Sequence, residues 1–299
     1  MSDSLYGMSP AQIAEACAFR QAFRARQVYR WLARGVSSFE EMTDLPLAER
    51  ERLSRLIPRI RSSQVAAALP DEDGSLKLQI RLADGAAVEC VLLEDLEGRK
   101  TACLSSQVGC PMRCAFCKTG TLGFLRDLKP GEIMEQFHFL AERRGEISNV
   151  VFMGMGEPML NLASVRSAIT ILSDPAGPGI SLRKITISTS GIVPGILDLA
   201  EHGPMVRLAV SIAAADDGLR SELMPVNRSH DLAALKAALL RYQETTGERI
   251  TLELPIMGNS NASVADAQAL AAWTTPLRVQ VNVIPWNRVP GLHFVEPTM

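Results

Sequence analysis

The rhythm of apolar and polar positions changes twice along this chain. From residue 9 to about 62, apolar side chains recur every three to four positions, the period of helices with one buried face. Ser9-Pro10-Ala11-Gln12 reads as an N-cap, a proline in the first turn and a glutamine that closes a capping box. Ile13, Ala16, Cys17 and Phe19 follow at helical spacing. A second helix is predicted over 25–34, with Val28, Trp31 and Leu32 packing inward and a stop at Gly35. A third is predicted over 47–56, ending before Pro58. Between 64 and 103 the period shortens. Runs at 64–69, 76–82 and 87–93 are separated by Asp71-Glu72-Asp73-Gly74 and Asp84-Gly85 turns, which predicts a small antiparallel sheet.

Beyond Thr101 strand-length apolar runs alternate with helical patterns. The runs lie at 101–104, 150–153, 184–188, 206–212, 250–255 and 279–284, and the helices at about 130–144, 162–173, 194–202, 232–246 and 263–273. Such alternation predicts an α/β fold with a parallel sheet. Three segments follow: helices over 1–62, a short β extension over 63–100 and an α/β core over 101–299. A parallel sheet takes its ligands at the C-terminal ends of its strands. Five unusual loops fall there. Cys110-Pro-Met-Arg-Cys114-Ala-Phe-Cys117 follows the first core strand and Gly154-Met-Gly156-Glu157-Pro158 the second. Ser188-Thr-Ser-Gly191 closes the third, Ser211 ends the fourth, and Pro285-Trp-Asn287 follows the sixth.

The cysteine spacing carries the most chemistry. Cys110, Cys114 and Cys117 sit within eight residues, while Cys17, Cys90 and Cys103 are scattered and form no second pair. A structural zinc site closes with four ligands, usually as two pairs. A trio without a fourth partner suits a [4Fe-4S] cluster with one iron left open. A zinc knuckle completed by a distant His, or plain buried thiols, are the alternatives on spacing alone.

Composition narrows the class. The chain has 299 residues, 47% hydrophobic and 21% charged, which is ordinary globular material. No apolar run approaches the roughly 18 residues that cross a bilayer. The first twenty residues carry Asp3 and Glu15 and lack an apolar signal core, so no export and no membrane attachment are expected. Six cysteines in so long a chain are no disulfide scaffold, which points to a reducing cytoplasm. Net charge is −2, yet residues 20–61 hold ten arginines against five acids, a local balance of +5. Arg26 and Arg30 share a helix face with Tyr29 beside them. Arginine forks phosphate and stacks on bases, so an RNA-binding face and a solvated helical face are both open readings.

Longer motifs add to this. Phe23-Arg-Ala-Arg-Gln-Val-Tyr-Arg-Trp31, Ser105-Ser-Gln-Val-Gly-Cys-Pro-Met-Arg-Cys-Ala-Phe-Cys117, Val151-Phe-Met-Gly-Met-Gly-Glu-Pro-Met-Leu-Asn161, Ile187-Ser-Thr-Ser-Gly-Ile-Val-Pro194 and Val281-Asn-Val-Ile-Pro-Trp-Asn287 together resemble the RlmN/Cfr family of radical S-adenosylmethionine (SAM) enzymes. The resemblance covers about residues 20–291. It implies a partial (β/α)6 radical SAM barrel with a small N-terminal helical domain and a short β extension. It implies methylation of an adenosine base in ribosomal RNA, with transfer RNA left open as a second substrate, by a monomer served by a flavodoxin- or ferredoxin-like electron donor. Cys110, Cys114 and Cys117 would hold the cluster, with Phe116 shielding it. Gly156, Glu157, Ser188, Ser211, Ile212, Ala213 and Asn287 would bind SAM. Taken singly, each serine or asparagine reads equally as a loop cap.

The family route implies two further roles. Glu89 matches the acid that takes a proton from the ring carbon, and Cys103 matches the cysteine that resolves a protein–RNA bond by forming a disulfide. An exposed strand charge and a buried strand thiol are the plain readings of those two. Two departures stand out. Relatives read Ser-Leu-His where this chain has Ser211-Ile212-Ala213, which removes one polar SAM contact. The family's methyl-accepting cysteine, in an Ala-Cys-Gly-Gln context near the C-terminus, is not among these 299 residues, since no cysteine follows Cys117. The expectation is a truncated or divergent member, in which cluster and SAM binding are better supported than methyl transfer. A non-catalytic RNA-binding protein that keeps the cluster as a structural element is the alternative.

Overall fold

The capping box at Ser9 forms and starts the first helix. Ser9 Oγ accepts from the Gln12 N–H, and the Gln12 side chain accepts from the Ser9 N–H at 2.9 Å. The computed structural model describes residues 4–298, so Asp3 and Met299 lie outside the described residues. In chain order the first elements are α1 (Pro10–Ala16), α2 (Ala22–Ala33), α3 (Leu47–Leu56), β1 (Gln64–Pro70), β2 (Leu76–Arg81), β3 (Ala87–Glu94) and β4 (Lys100–Cys103). Next come β5 (Gln107–Gly109), β6 (Phe124–Asp127), α4 (Pro130–Arg144), β7 (Asn149–Phe152), α5 (Leu162–Ser173) and β8 (Ile185–Thr189). The last are α6 (Val193–His202), β9 (Arg207–Ser211), α7 (Asp217–Leu223), α8 (Leu232–Thr246), β10 (Ile250–Ile256), α9 (Val264–Thr274) and β11 (Val279–Pro285). The predicted strands and helices are all present. Strands β5 and β6 and helix α7 are additions that periodicity did not predict. No helix among the described residues is long and apolar enough to cross a membrane.

The chain folds as two compact units. The first takes residues up to Val108, Asp127–Gly154 and Ala163–Ile185, and the second Gly109–Arg126, Met155–Leu162 and Thr186 onward. In the first unit the strands run in the order β1-β2-β3-β4-β7, with antiparallel pairing up to β4 and parallel pairing of β4 with β7. Strict alternation sets the faces. Leu76, Leu78 and Ile80 of β2 and Val88, Cys90 and Leu92 of β3 are buried, and Leu78 stands opposite Cys90.

Helix α4 is buried along the whole of Gly131–Leu140, so its polar residues need partners inside. Glu135 has them. Its Oε1 accepts from the Ser62 N–H at 2.6 Å and the Ser62 hydroxyl, and its Oε2 from the Ser63 N–H at 2.8 Å and the Ser63 hydroxyl. The turn before β1 is thereby fixed to the middle of α4. Gln136 does the same for the chain after β4, accepting from the Ser105 N–H at 2.8 Å and donating to the Ser105 carbonyl at 3.1 Å. His138 lies against Tyr6, with ring centroids 4.5 Å apart, and edge-on to Phe137. Burial, reinforced by the Arg61 charge, holds its imidazole neutral down to about pH 3.

Two outcomes follow. Glu135→Leu removes the acceptor of four donors and should lower stability by about 2–3 kcal/mol, read as a lower denaturant midpoint at unchanged m-value. His138 binds its proton far less readily folded than unfolded, so the unfolded state holds more protons below pH 6.5 and stability must fall with acidification. The loss should approach about 1.4 kcal/mol per pH unit below pH 6. His138→Phe should flatten that slope between pH 6.5 and 5, and an unchanged slope would show that the imidazole is not the group responsible.

Candidate active site

The second unit supplies a frame of four parallel strands, β8 to β11. Ile187, Leu208, Val210 and Leu252 share one face of it, all fully buried. Farther along that face Leu254, Ile256 and Val283 line a cavity with Ala267 and Leu270 of α9. The opposite face is polar. Ser188 pairs in register with Ala209, Ser211 with Glu253, Glu253 with Asn282, and Thr251 with Gln280. A strand with helices on one side only leaves its other side for ligand.

The cysteine loop owes its shape to backbone close approach. Gly109 has φ +76°, and a Cβ there would lie 1.8 Å from the Gly123 carbonyl oxygen, so only glycine fits. That approach lets the Cys110 N–H donate to Gly123 O at 2.9 Å. Arg113, at φ +54°, turns the chain back on itself. The Cys117 N–H then donates to Cys114 O at 3.1 Å, and the Ala115 N–H donates to Leu223 O at the end of α7 at 2.9 Å. Trp286 Nε1, just after β11, donates to Phe116 O at 3.0 Å and fixes the loop from the other side. Phe116 and the three cysteines are all half-buried.

The thiols sense one another. Burial pushes Cys110 up to about 11 and Cys114 up to about 12, and the neighbouring thiolates of the trio push each of them the same way. The backbone N–H groups of Met112 and Gly156 lie near Cys110 and oppose the rise. Gly156 and Glu157 belong to the Gly-Glu-Pro loop, so the first two predicted loops are near neighbours in this unit. Among the described residues no group of three or more His, Cys, Asp or Glu is placed to hold one metal ion. All six cysteines are free thiols.

Glu157 is turned inward and is 2% exposed. Its Oε1 accepts from the Met159 N–H at 3.1 Å, and its Oε2 accepts from both the N–H and the hydroxyl of Ser190 at 2.7 Å. Burial still holds its carboxyl above the usual range. Ser190 is shared: its carbonyl accepts from Arg220 Nη2 at 2.9 Å. Arg220 is 0% exposed and spreads its remaining donors over Ile212 O at 3.2 Å, Asn227 Oδ1 at 2.7 Å and the His230 and Ser211 carbonyls. A buried carboxylate and a buried guanidinium therefore meet through one serine, and three predicted loops are locked by it.

The other predicted residues are placed as follows. Ser188 and Ser211 are half-buried on the polar face, and Ile212 and Ala213 are fully buried. Ala213 has φ +54°, and its carbonyl accepts from Asn261 Nδ2 at 2.7 Å, so the backbone rather than a side chain shapes that turn. Asn287 is exposed after β11. Glu89 and Cys103 belong to the first unit. Cys103 stands opposite Val91 on the neighbouring strand, and Glu89 lies two residues from Val91, so the acid and the thiol share one face of that sheet. Glu89 is exposed and ion-paired to Lys77 at 3.7 Å, while Cys103 is half-buried with its thiol pushed up to about 11 by burial. Sequence reasoning missed Arg220, Asn261 and Glu253. Only Glu253 left a signal, a lone charge inside the apolar run Ile250-Thr-Leu-Glu-Leu-Pro-Ile256.

Comparisons with known proteins identify the family. Residues 104–268 match the radical SAM superfamily, and residues 5–58 match the ribosomal RNA large subunit methyltransferase N-terminal domain. A probable dual-specificity RNA methyltransferase RlmN from Treponema pallidum (strain Nichols) is 50% identical over 294 residues, spanning 98% of this chain and 86% of that protein. The dual-specificity RNA methyltransferase RlmN of Anaeromyxobacter dehalogenans (strain 2CP-C) is 45% identical over 286 residues, spanning 92% of this chain and 76% of that protein. The crystal structure of a radical SAM methyltransferase from Sphaerobacter thermophilus superimposes with a TM-score of 0.94 at 37% identity, over 99% of this chain and 89% of that one. With 50% identity over 98% of its length to one such protein and with both family models matched, the chain belongs to the RlmN family of radical SAM RNA methyltransferases.

Proposed function

We propose that this chain methylates an adenosine base of RNA, of the large ribosomal subunit and of transfer RNA, using a [4Fe-4S] cluster on Cys110, Cys114 and Cys117 and SAM bound by Gly156, Glu157, Ser188, Ser211, Ile212, Ala213 and Asn287. The observation that carries this reading is the cysteine loop itself, with its three thiols half-buried together and the loop tied to the end of β11 by Trp286 Nε1, which donates to Phe116 O at 3.0 Å. The donor set fits the group. A cluster distributes its ligands over several irons, so three grouped thiols that do not converge on one point suit it. When bound, cluster and SAM together supply the one-electron chemistry that an electron-poor adenine carbon requires. An external flavodoxin- or ferredoxin-like donor serves as electron source.

This chain's own residues then have distinct tasks. Glu157 needs no solvent to stay bonded, because Ser190 and Met159 already saturate it. It acts as the joint that presents the Gly156 backbone. Glu89, exposed on β3, would take the proton from the substrate carbon, and Cys103 on the same sheet face would be the thiol that forms a disulfide with the methyl-carrying cysteine of the family route, a cysteine that is not among these 299 residues. Residues 1–62 are the RNA-recognising segment. Arg26 and Arg30 lie exposed one turn apart on α2. Arg24 lies over the Phe23 ring at 4.9 Å, and Arg34 over Trp31 at 5.1 Å. The aromatic roles differ from the sequence expectation. Tyr29 is buried, donating to Asp174 Oδ2 at 3.0 Å, while Trp31 is half-exposed and donates to Asp44. Its partner Asp44 holds the indole outward, so Trp31 and Phe23, not Tyr29, are the rings available beside the arginines.

Two measurements test these assignments. Replacing any one of Cys110, Cys114 or Cys117 by Ala should abolish iron and sulfide loading in anaerobic reconstitution, together with the broad visible absorption of the cluster. Stoichiometric zinc without iron in the intact protein would refute the cluster. Arg26→Ala/Arg30→Ala should weaken binding to ribosomal RNA fragments and lower the salt slope of log K by about 2, one for each phosphate no longer neutralised. An unchanged slope would assign that face to solvent.

A further inference from the structure

We propose that Glu253 is a ligand-contacting residue of this site, its free carboxylate oxygen accepting a hydrogen bond from a ribose hydroxyl of bound SAM. The inference rests on the SAM-binding reading above and extends it to a residue outside the family motifs. Glu253 sits in the middle of β10 and is 8% exposed. Its Oε2 accepts from Asn282 Nδ2 at 2.7 Å, across the parallel pairing of β10 with β11. No other side-chain partner reaches it among the described residues, which leaves Oε1 without a donor.

That deficit is unusual for this protein. Glu135 and Glu157, the other deeply buried carboxylates whose partners are described above, have donors on both oxygens. Glu253 Oε1 is not among the buried atoms left without a partner, so this oxygen opens to the outside, where an arriving donor can reach it. Burial holds the Glu253 carboxyl above its ordinary range, with Asn282 opposing the rise.

Position indicates which donor arrives. Glu253 stands directly opposite Ser211 in the β9–β10 register, on the polar face that carries Ser188 and faces away from α9. Neighbouring strands lie about 4.8 Å apart, so a hydroxyl and a carboxylate are offered side by side. Of the polar parts of SAM, the amino-acid end carries an ammonium and a carboxylate together, so one of its two charges always opposes Glu253. The ribose carries two adjacent hydroxyl donors, and a carboxylate acceptor on a strand is the device by which dinucleotide folds hold such a diol. The sequence cue, a glutamate inside an apolar strand, is explained by the same contact.

Calorimetry on the full chain, anaerobically reconstituted, tests this with SAM and its 2′-deoxy and 3′-deoxy analogues as probes. Glu253→Gln keeps the shape and should weaken SAM binding about tenfold or more, the scale of one hydrogen bond to a charged group. One of the two deoxy analogues should bind the wild type about tenfold more weakly than SAM does. That analogue should be indifferent to Glu253→Gln. Asn282→Ala leaves the carboxylate in place but unheld and should cost about threefold, which keeps the idea testable if Glu253→Gln fails to load the cluster. SAM affinity unchanged within twofold in both variants overturns the proposal. An equal loss for SAM and both deoxy analogues also overturns it, because the hydroxyl is then not the partner. A wild-type protein that binds no SAM overturns the underlying reading as well, whereas the first two outcomes leave that reading standing.

Discussion

Both units are organised by one constraint: a polar group taken out of water must find its hydrogen bonds inside the protein. In the first unit α4 is buried through ten consecutive residues and still carries Glu132, Glu135, Gln136 and His138. Two of them fix neighbouring chain. Glu135 holds the Ser62–Ser63 turn, and Gln136 holds both backbone groups of Ser105. In the second unit Glu157 and Arg220 are both buried, and Ser190 serves them together through its N–H, hydroxyl and carbonyl. Remove that serine's backbone from its place and two opposite charges lose partners at once. Loops that are irregular by secondary structure are therefore rigid by hydrogen bonding, which is what a site on βα loops requires.

The same constraint explains why the cysteine loop is held through its own backbone rather than through its thiols. Thiols that are to serve as ligands must not be consumed by other partners, so the loop's shape has to come from elsewhere. Gly109 against Gly123, Ala115 against Leu223 and Phe116 against Trp286 supply it. Burial and mutual repulsion keep Cys110 and Cys114 protonated well above neutral pH. Thiols so placed are poor nucleophiles on their own, and a metal that stabilises the thiolate has correspondingly more to offer them.

How much of this was legible in the sequence depends on the distance over which the cause acts. Helical and strand periods are local, and the elements they predict are all present, down to the Ser9 capping box. The cysteine and Gly-Glu-Pro loops were legible because strand order alone puts them at strand ends. Strands β5 and β6, of three and four residues, and the seven-residue α7 are too short to show a period. The exchange of Tyr29 and Trp31 has a long-range cause, since the Tyr29 hydroxyl is taken up by Asp174, 145 residues away. Arg220 was illegible for the same reason. In sequence it is one more arginine on a short polar helix. Its role exists only once the Ser190, Ser211 and Ile212 carbonyls surround it.

Glu253 lies between these extremes and shows what kind of signal survives. A charge within an apolar strand violates the local pattern, and such violations concentrate where a protein gives up local consistency for a site. The strand register turns that anomaly into a position beside Ser211, and the hydrogen bonding turns the position into an unmet acceptor. Arg220 and Glu157 illustrate the opposite case, in which buried charge is fully satisfied and the role is to hold loops. Two carboxylates, Glu157 and Glu253, thus sit in one unit with both of their pKa values raised by burial, yet only one keeps an oxygen open. Saturation, not burial, separates a carboxylate whose oxygens already hold a loop in shape from one with an oxygen left for a further donor.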